Sequence, residues 1–153
     1  MMFTGKTVLI TGGAQGIGKA IAERFSNLNA KIYIFDLKNL ENIDSDRNIH
    51  YIQGDVSQNN DVTDFVNHVM NLDGQIDIVV NNAGIIRDAA IWNMAEADFD
   101  AVINVNLKGP WLICRAVAPI MRKQKSGRII NIASRSWLGN FGQSNYSSSK
   151  GGL

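Results

Sequence analysis

A tyrosine and a lysine stand four residues apart in the segment NYSSSKGG, as Tyr146 and Lys150. On a helix that spacing places both side chains on one face, one turn apart. A free phenol has a pKa of about 10, so it is a poor base at neutral pH. An ammonium about 5 Å away, at an effective dielectric near 20, stabilises a phenolate by about 3 kcal/mol and brings proton transfer within reach. The same spacing also arises on helix surfaces without any role, so the pair needs support from elsewhere in the chain.

That support begins at TGGAQGIG, residues 11–18, which places four glycines in eight positions directly after the apolar run TVLI. A glycine-rich turn between a buried strand and a helix lets the backbone approach a ligand closely and aims free amides at it, a geometry suited to diphosphate. A turn that merely needs positive φ would use one or two glycines. Gly12, Gly16 and Gly18 read GxxxGxG, not the widespread GxGxxG. Asp36 follows Gly18 by eighteen residues at the end of the next apolar run, where a carboxylate can accept hydrogen bonds from the adenosine ribose hydroxyls and repel a 2′-phosphate. The loop carries Gln15 and no basic residue, although Lys38 lies two residues beyond the aspartate. NAD is therefore expected over NADP. A solvated strand-end aspartate is the plainer alternative for Asp36.

The elements that must hold these residues are legible as alternating periods. Apolar, β-branched runs at Thr7 to Thr11, Lys31 to Asp36, Ile49 to Asp55, Ile76 to Asn81 and Arg128 to Ser134 read as strands covered on both faces. Ile17, Ala20, Ile21, Phe25 and Leu28 fall on one side of a first helix. Ser57 is placed to cap a second, in which Val62, Phe65, Val66, Val69 and Met70 repeat at helical spacing. A longer helical stretch runs from about Ala95 to Lys123. This alternation predicts an α/β fold, a doubly wound parallel sheet of Rossmann type, in one domain spanning residues 1–153.

Composition narrows the function classes. With 153 residues and 45% hydrophobic content the chain suits a globular domain, and 15 Lys and Arg against 14 Asp and Glu leave a net charge of +1. That balance lacks the basic excess that tracks nucleic acid. The N-terminus lacks a signal peptide's apolar stretch, and no segment has the length of a membrane span, so a cytoplasmic protein is expected. The single cysteine, Cys114, can form neither an internal disulfide nor a cysteine metal cluster and reads as a packed small hydrophobe, and no metal is expected.

TGGAQGIG, Asp36, Asp55 followed by Val56, NNAG at 81–84, NVNLKG at 104–109, IASRS at 132–136, and Tyr146 with Lys150 occur in an order that resembles the short-chain dehydrogenase/reductase family over essentially the whole chain. The resemblance implies hydride transfer between a nicotinamide and a carbon bearing oxygen. It implies that Tyr146 exchanges the hydroxyl proton, Ser134 hydrogen-bonds the substrate oxygen, Lys150 tunes Tyr146 and holds the nicotinamide ribose, and Asn106 anchors a water in the proton relay. It further implies a cofactor site of Gly12, Gln15, Gly16, Ile17, Gly18, Asp36, Asp55, Val56, Asn82, Ala83 and Gly84, with Tyr146 and Lys150 at its catalytic end. Ser136 is the alternative to Ser134, whose distance to Tyr146 is one residue shorter than in many family members.

Asn106 can be weighed on its own residues as well. It follows Val102 and Ile103 by four and three positions and so lands on an apolar helix face, where a buried amide needs partners. Pro110 lacks the N–H that would bond the Asn106 carbonyl if the helix runs on unbroken; if the helix restarts at Gly109 and Pro110, that reasoning lapses.

Family members usually continue for two more strand and helix units, so the sheet is expected to be incomplete at its C-terminus. The segment bearing Tyr146 and Lys150 spans about two turns, too short for a helix to hold itself in water, and residues 1–153 alone are expected to catalyse poorly. The wording of NNAGIIRD, NVNLKG and SGRIINIAS is nearest to 3-oxoacyl-acyl-carrier-protein reductases, while Asp36 fits NAD. The expected substrate is thus a small secondary alcohol or ketone, with an acyl thioester as a leaning and a homotetramer as the implied assembly. A non-catalytic nucleotide-binding regulator would keep the glycines and Asp36 but have no use for Tyr146, Lys150 and Ser134 together. A methyltransferase would likewise not need YxxxK.

Overall fold

The computed structural model describes residues 2–38 and 48–153. Five strands, β1 (Thr7–Thr11), β2 (Lys31–Asp36), β3 (Ile49–Gln53), β4 (Ile78–Asn81) and β5 (Arg128–Asn131), form one parallel sheet in the order β3-β2-β1-β4-β5. The chain leaves β1 toward β2 and β3 on one side and later returns to β4 and β5 on the other. The sheet order therefore reverses between β1 and β4, and a crevice opens there at the carboxyl ends of the strands.

Alternation along the strands divides the core in two. Leu9, Tyr33, Phe35 and Val79 pack on one face against helix α2 (Asn59–Asp73), through Val62, Phe65, Val66 and Val69, and helix α4 (Gly109–Gln124), through Leu112, Ile113 and Val117. Val8, Ile10, Ile32, Ile34 and Val80 occupy the other face with Ala22 of helix α1 (Gly16–Ser26). The face that α1 buries differs from the expected one. Gly18, Ala22 and Ser26, four residues apart, are its buried positions, whereas Ile17 is 65% exposed. Small residues let the helix axis approach the sheet, and Ile21 and Phe25 pack at the flank.

Three further differences have local causes. Ser57 does not cap α2: Gln58 occupies the cap position without a side-chain bond, and the Ser57 N–H instead donates to Asp55 Oδ1 at 2.8 Å. The last strand stops at Asn131, and its residues are exposed, Ile129 at 39% and Ile130 at 44%, because β5 pairs only with β4 among the described residues. The stretch from Ala95 to Lys123 is helical throughout but not uniform. Helix α3 (Glu96–Ile103) passes through a π turn at Asn104–Lys108 into α4, which carries Pro110 in its first turn. Helix α5 (Ser144–Gly151) follows a 3-10 turn at Arg135–Leu138.

At the opposite end of the sheet, Asp73 accepts hydrogen bonds from Lys31 Nζ (2.5 Å), Tyr33 OH (3.1 Å) and Thr7 Oγ1 (3.0 Å). Burial pushes its carboxyl upward, but the bonds from Lys31, Thr7 and Tyr33 outweigh burial and hold it below the ordinary carboxylate range. The unfolded state then binds the more protons, so the stabilisation is present above an unfolded pKa of about 4 and is lost as pH falls through the depressed folded value. Asp73→Asn is expected to lower stability by about 1–3 kcal/mol at pH 7 and to flatten the decline below about pH 4. Urea midpoints of both proteins at pH 7 and pH 3 check this; equal midpoints at pH 7 would refute it.

Candidate active site

The crevice at the β1/β4 reversal is a cleft of about 350 Å³. It is lined by Gly12, Gln15, Gly16 and Ile17 from the glycine loop, Asp36 at the end of β2, Asp55 and Val56 beyond β3, and Asn82, Ala83 and Gly84 beyond β4. Ten of the sequence-predicted positions thus meet on one wall-to-wall surface. Gly18 is not on it. A Cβ there would lie 2.4 Å from the Gly12 carbonyl oxygen and 2.5 Å from Asn82 Nδ2, so Gly18 serves the packing of the loop against the neighbouring strand end.

The loop is built by local bonds. Gly12 adopts φ +66°, and a Cβ on it would fall 2.7 Å from Ala83 Cα. Asn82 Nδ2 donates to the carbonyls of Thr11 (3.1 Å) and Gly12 (2.8 Å), while Thr11 Oγ1 accepts the N–H groups of Asn82 and Ala83, each at 3.1 Å. Thr11 was not singled out from the sequence. Its signal was present, since it is the polar residue that closes an otherwise apolar strand immediately before the glycines. Phe35, Leu37, Lys38, Gly54, Ile85 and Val105 also line the cleft without having been singled out as binding residues. Gly54 had a readable cue, a glycine just before Asp55; a Cβ there would meet the Phe35 ring at 2.3 Å.

A dinucleotide suits this surface. Helix α1 starts with no side-chain cap bond and no acidic residue in its first turn, so its first N–H groups are left for an anion at the cleft. Gly12 and Gly16 keep the approach free of side chains, and both have positive φ, which glycine alone adopts without strain. Asp36 supplies a carboxylate to the cleft at the end of β2. Its Oδ2 accepts the Ala14 N–H at 3.0 Å and its Oδ1 the Lys38 N–H at 3.1 Å, leaving further lone pairs for hydroxyls.

The catalytic candidates sit on α5 and the segment after β5. Tyr146 is half-buried and Lys150 is 7% exposed. Lys150 Nζ donates to the Ile132 carbonyl at 2.7 Å and stands 5.9 Å from the Tyr146 ring centroid. Burial pushes the Lys150 ammonium pKa down. Ser134, two residues beyond Ile132, begins the 3-10 turn, and its Oγ accepts the Ser136 N–H at 3.2 Å. The Ser136 hydroxyl is buried and has no hydrogen-bond partner among the described residues.

Asn106 joins these two parts. It is fully buried within the π turn, its Oδ1 accepts the Ile85 N–H (2.8 Å), and its Nδ2 donates to the Ile85 carbonyl (3.0 Å) and to Ser149 Oγ (3.2 Å). Ser149 Oγ in turn donates to the Tyr146 carbonyl at 2.7 Å. A connected path therefore runs from cleft-lining Ile85 through Asn106 and Ser149 to Tyr146. The ladder shifts here to five-residue spacing, with the Gly109 N–H bonding the Asn104 carbonyl, so the expectation that an unbroken α-helix would set Pro110 against the Asn106 carbonyl does not apply as stated. Cys114 is half-buried on α4, where Asn81 Nδ2 lies 3.6 Å from its sulfur and burial pushes its thiol pKa up, in keeping with a packing role.

Comparison with known proteins adds an independent line. The family model described as short chain dehydrogenase matches residues 6–153. Over 162 residues the chain is 41% identical to the 3-oxoacyl-acyl-carrier-protein reductase of Thermotoga maritima, covering 100% of this chain and 65% of that protein. It is 43% identical to a hydroxy(phenyl)methylsuccinyl-CoA dehydrogenase subunit of Thauera aromatica, covering 97% and 62%, and 37% identical to a 3-oxoacyl-acyl-carrier-protein reductase of Synechocystis, covering 98% and 64%. The chain thus spans just under two thirds of the length of these curated relatives.

Proposed function

Because the chain belongs to the short-chain dehydrogenase family, we propose that it serves an oxidoreductase acting on a secondary alcohol or ketone with NAD(H). The observation that carries this reading is the path from Ile85 through Asn106 and Ser149 to Tyr146, which fixes the tyrosine's helix to the dinucleotide cleft. The nicotinamide, when bound, supplies or accepts the hydride. In the reducing direction Tyr146 gives its phenolic proton to the substrate oxygen, and Ser134 Oγ donates a hydrogen bond to that oxygen as negative charge develops on it. Lys150, held at the Ile132 carbonyl, stabilises the phenolate left behind and binds the nicotinamide ribose. Asn106 holds a water through which Tyr146 is reprotonated.

Gly12, Gln15, Gly16, Ile17 and Gly18 form the diphosphate loop in this reading, with Asp36 on the adenosine ribose. Asp55 and Val56 border the adenine, and Asn82, Ala83 and Gly84 line the cofactor cleft. Names of the relatives refer to acyl groups on a carrier protein or on CoA, which favours an acyl thioester among the candidate substrates. Self-association into a tetramer is supported by the exposure of Trp111 on α4 and of Trp137 and Leu138 beside α5. The near-neutral charge argues against nucleic acid as a partner. No helix among the described residues is long and apolar enough to cross a membrane; a cytoplasmic location is part of the same proposal.

Asp36→Ala tests the cofactor assignment. Loss of the carboxylate is expected to weaken NADH binding about tenfold while leaving NADPH binding equal or tighter. Titrating both dinucleotides into both proteins by nicotinamide fluorescence reads this out, and an unchanged preference would remove the argument. Binding of S-adenosylmethionine in place of either dinucleotide would point to a methyltransferase instead.

A further inference from the structure

Resting on that oxidoreductase reading, we propose that Asn145 is a positioning residue for Tyr146: its side chain ties the first turn of α5 to the irregular segment beyond β4 and so fixes where the tyrosine stands against the cleft. Residues 82–90 carry neither helix nor strand, and their backbone polar groups need partners from elsewhere. Alternate residues find them across one gap. Asn106 bonds both backbone groups of Ile85, Asn145 Nδ2 donates to the Arg87 carbonyl at 2.7 Å, and the Ala89 N–H donates to the Gly142 carbonyl at 2.9 Å.

Helix α5 needs the same side chain for a reason of its own. Its cap residue, Gln143, makes no side-chain cap bond, so the N–H groups of the first turn depend on other acceptors. The Tyr146 N–H donates to Asn145 Oδ1 at 2.7 Å. The Asn145 amide is thus a donor to one segment and an acceptor from the other, and only one of its two orientations serves both. Asn145 is fully buried, so a bond lost there is not made good by water. Tyr146 is then held at both ends of its backbone, its N–H by Asn145 and its carbonyl by Ser149, which Asn106 bonds in turn. Both asparagines reach back to the one segment that includes cleft-lining Ile85. Displacing a reacting group by about 1 Å costs about a hundredfold in function, so Asn145 bears on the reaction through Tyr146 without touching the reacting atoms.

The chain carries three tyrosines, so fluorotyrosine labelling gives three fluorine NMR signals, and the one lost in Tyr146→Phe belongs to Tyr146. Saturating NADH is expected to move that signal in the unmodified chain. Asn145→Ala removes both bonds, and Asn145→Asp keeps the shape and the acceptor but not the donor. In both variants NADH affinity is expected to stay within about threefold, while the movement of the Tyr146 signal falls to less than about half. Asp73→Asn weakens the fold at the opposite end of the sheet and is expected to leave that movement unchanged, which separates positioning from loss of stability. A full Tyr146 response in both Asn145 variants, or the same reduced response in Asp73→Asn, would overturn the role of Asn145 and leave the oxidoreductase reading standing. Should neither Asn145 variant fold, hydrogen exchange of the unmodified chain decides. The Tyr146 amide is expected to be protected to within about tenfold of the Ser149 and Lys150 amides, and exchange at the rate of an open chain would overturn the proposal. A Tyr146 signal that bound NADH does not move in the unmodified chain would instead overturn the reading of Tyr146 on which the proposal rests.

Discussion

Tyr146→Phe is expected to lower turnover of a ketone or 3-oxoacyl thioester by about 10³-fold, because it removes the proton donor and leaves everything around it in place. The ring remains on α5, Ser149 still bonds the residue-146 carbonyl, and Lys150 still donates to Ile132. NADH affinity is therefore expected to stay within about twofold of the unmodified value. Comparing kcat and NADH binding in the two proteins separates chemistry from binding. Full activity in the phenylalanine variant would remove Tyr146 from the mechanism.

Gly18→Ala is expected to damage the cofactor site, an effect second in size only to that of Tyr146→Phe on turnover. The new methyl group would lie 2.4 Å from the Gly12 carbonyl, 2.5 Å from Asn82 Nδ2 and 2.9 Å from Gly13 Cα, and two of these three are backbone atoms that cannot swing away. The 2.8 Å bond from Asn82 to Gly12 must lengthen or break, and the loop must shift from the cleft wall. Overpacking of this kind costs about 1–3 kcal/mol of stability. Displacement of a positioned binding group by about 1 Å lowers function about a hundredfold, and NADH affinity is expected to fall by that much. Thermal denaturation and NADH titration check the two effects, and an alanine variant with unmodified affinity would show that the loop is not what holds the dinucleotide.

The sequence was most legible where one physical demand dominated. β1 and β2 begin and end at the residues expected, because both are buried on two faces, read as apolar runs, and stop at a polar residue beside a glycine or loop. The glycine loop and Asp36 were legible from their own placement at strand ends, and Asp55 and NNAG through the family resemblance; the fold brings residues from all of these to one cleft. Packing choices were less legible. On α1 the apolar residues pointed to one face, but closeness to the sheet matters more there than apolar area, so Gly18, Ala22 and Ser26 face inward. Exposure of β5 could not be read from composition, since Ile129 and Ile130 look the same in a central strand and in an edge strand. The π turn at Asn104–Lys108 leaves no mark in the hydrophobic period over five residues, and it determines where the Asn106 amide reaches. Lys38 Nζ donates to Gln15 Oε1, a bond between residues whose proximity depends on the strand order alone.

Backbone amide chemical shifts of the chain during an NADH titration test the central claim most directly, because they report where the dinucleotide sits. The account predicts that the amides of Gly12 to Gly18, Asp36, Val56, Asn82 to Ile85 and Tyr146 to Lys150 shift together along one binding curve, with those of Lys123 and Lys125 at the far end of α4 unmoved. Shifts scattered over α4 and β5, with the glycine loop and Tyr146 unaffected, would contradict it.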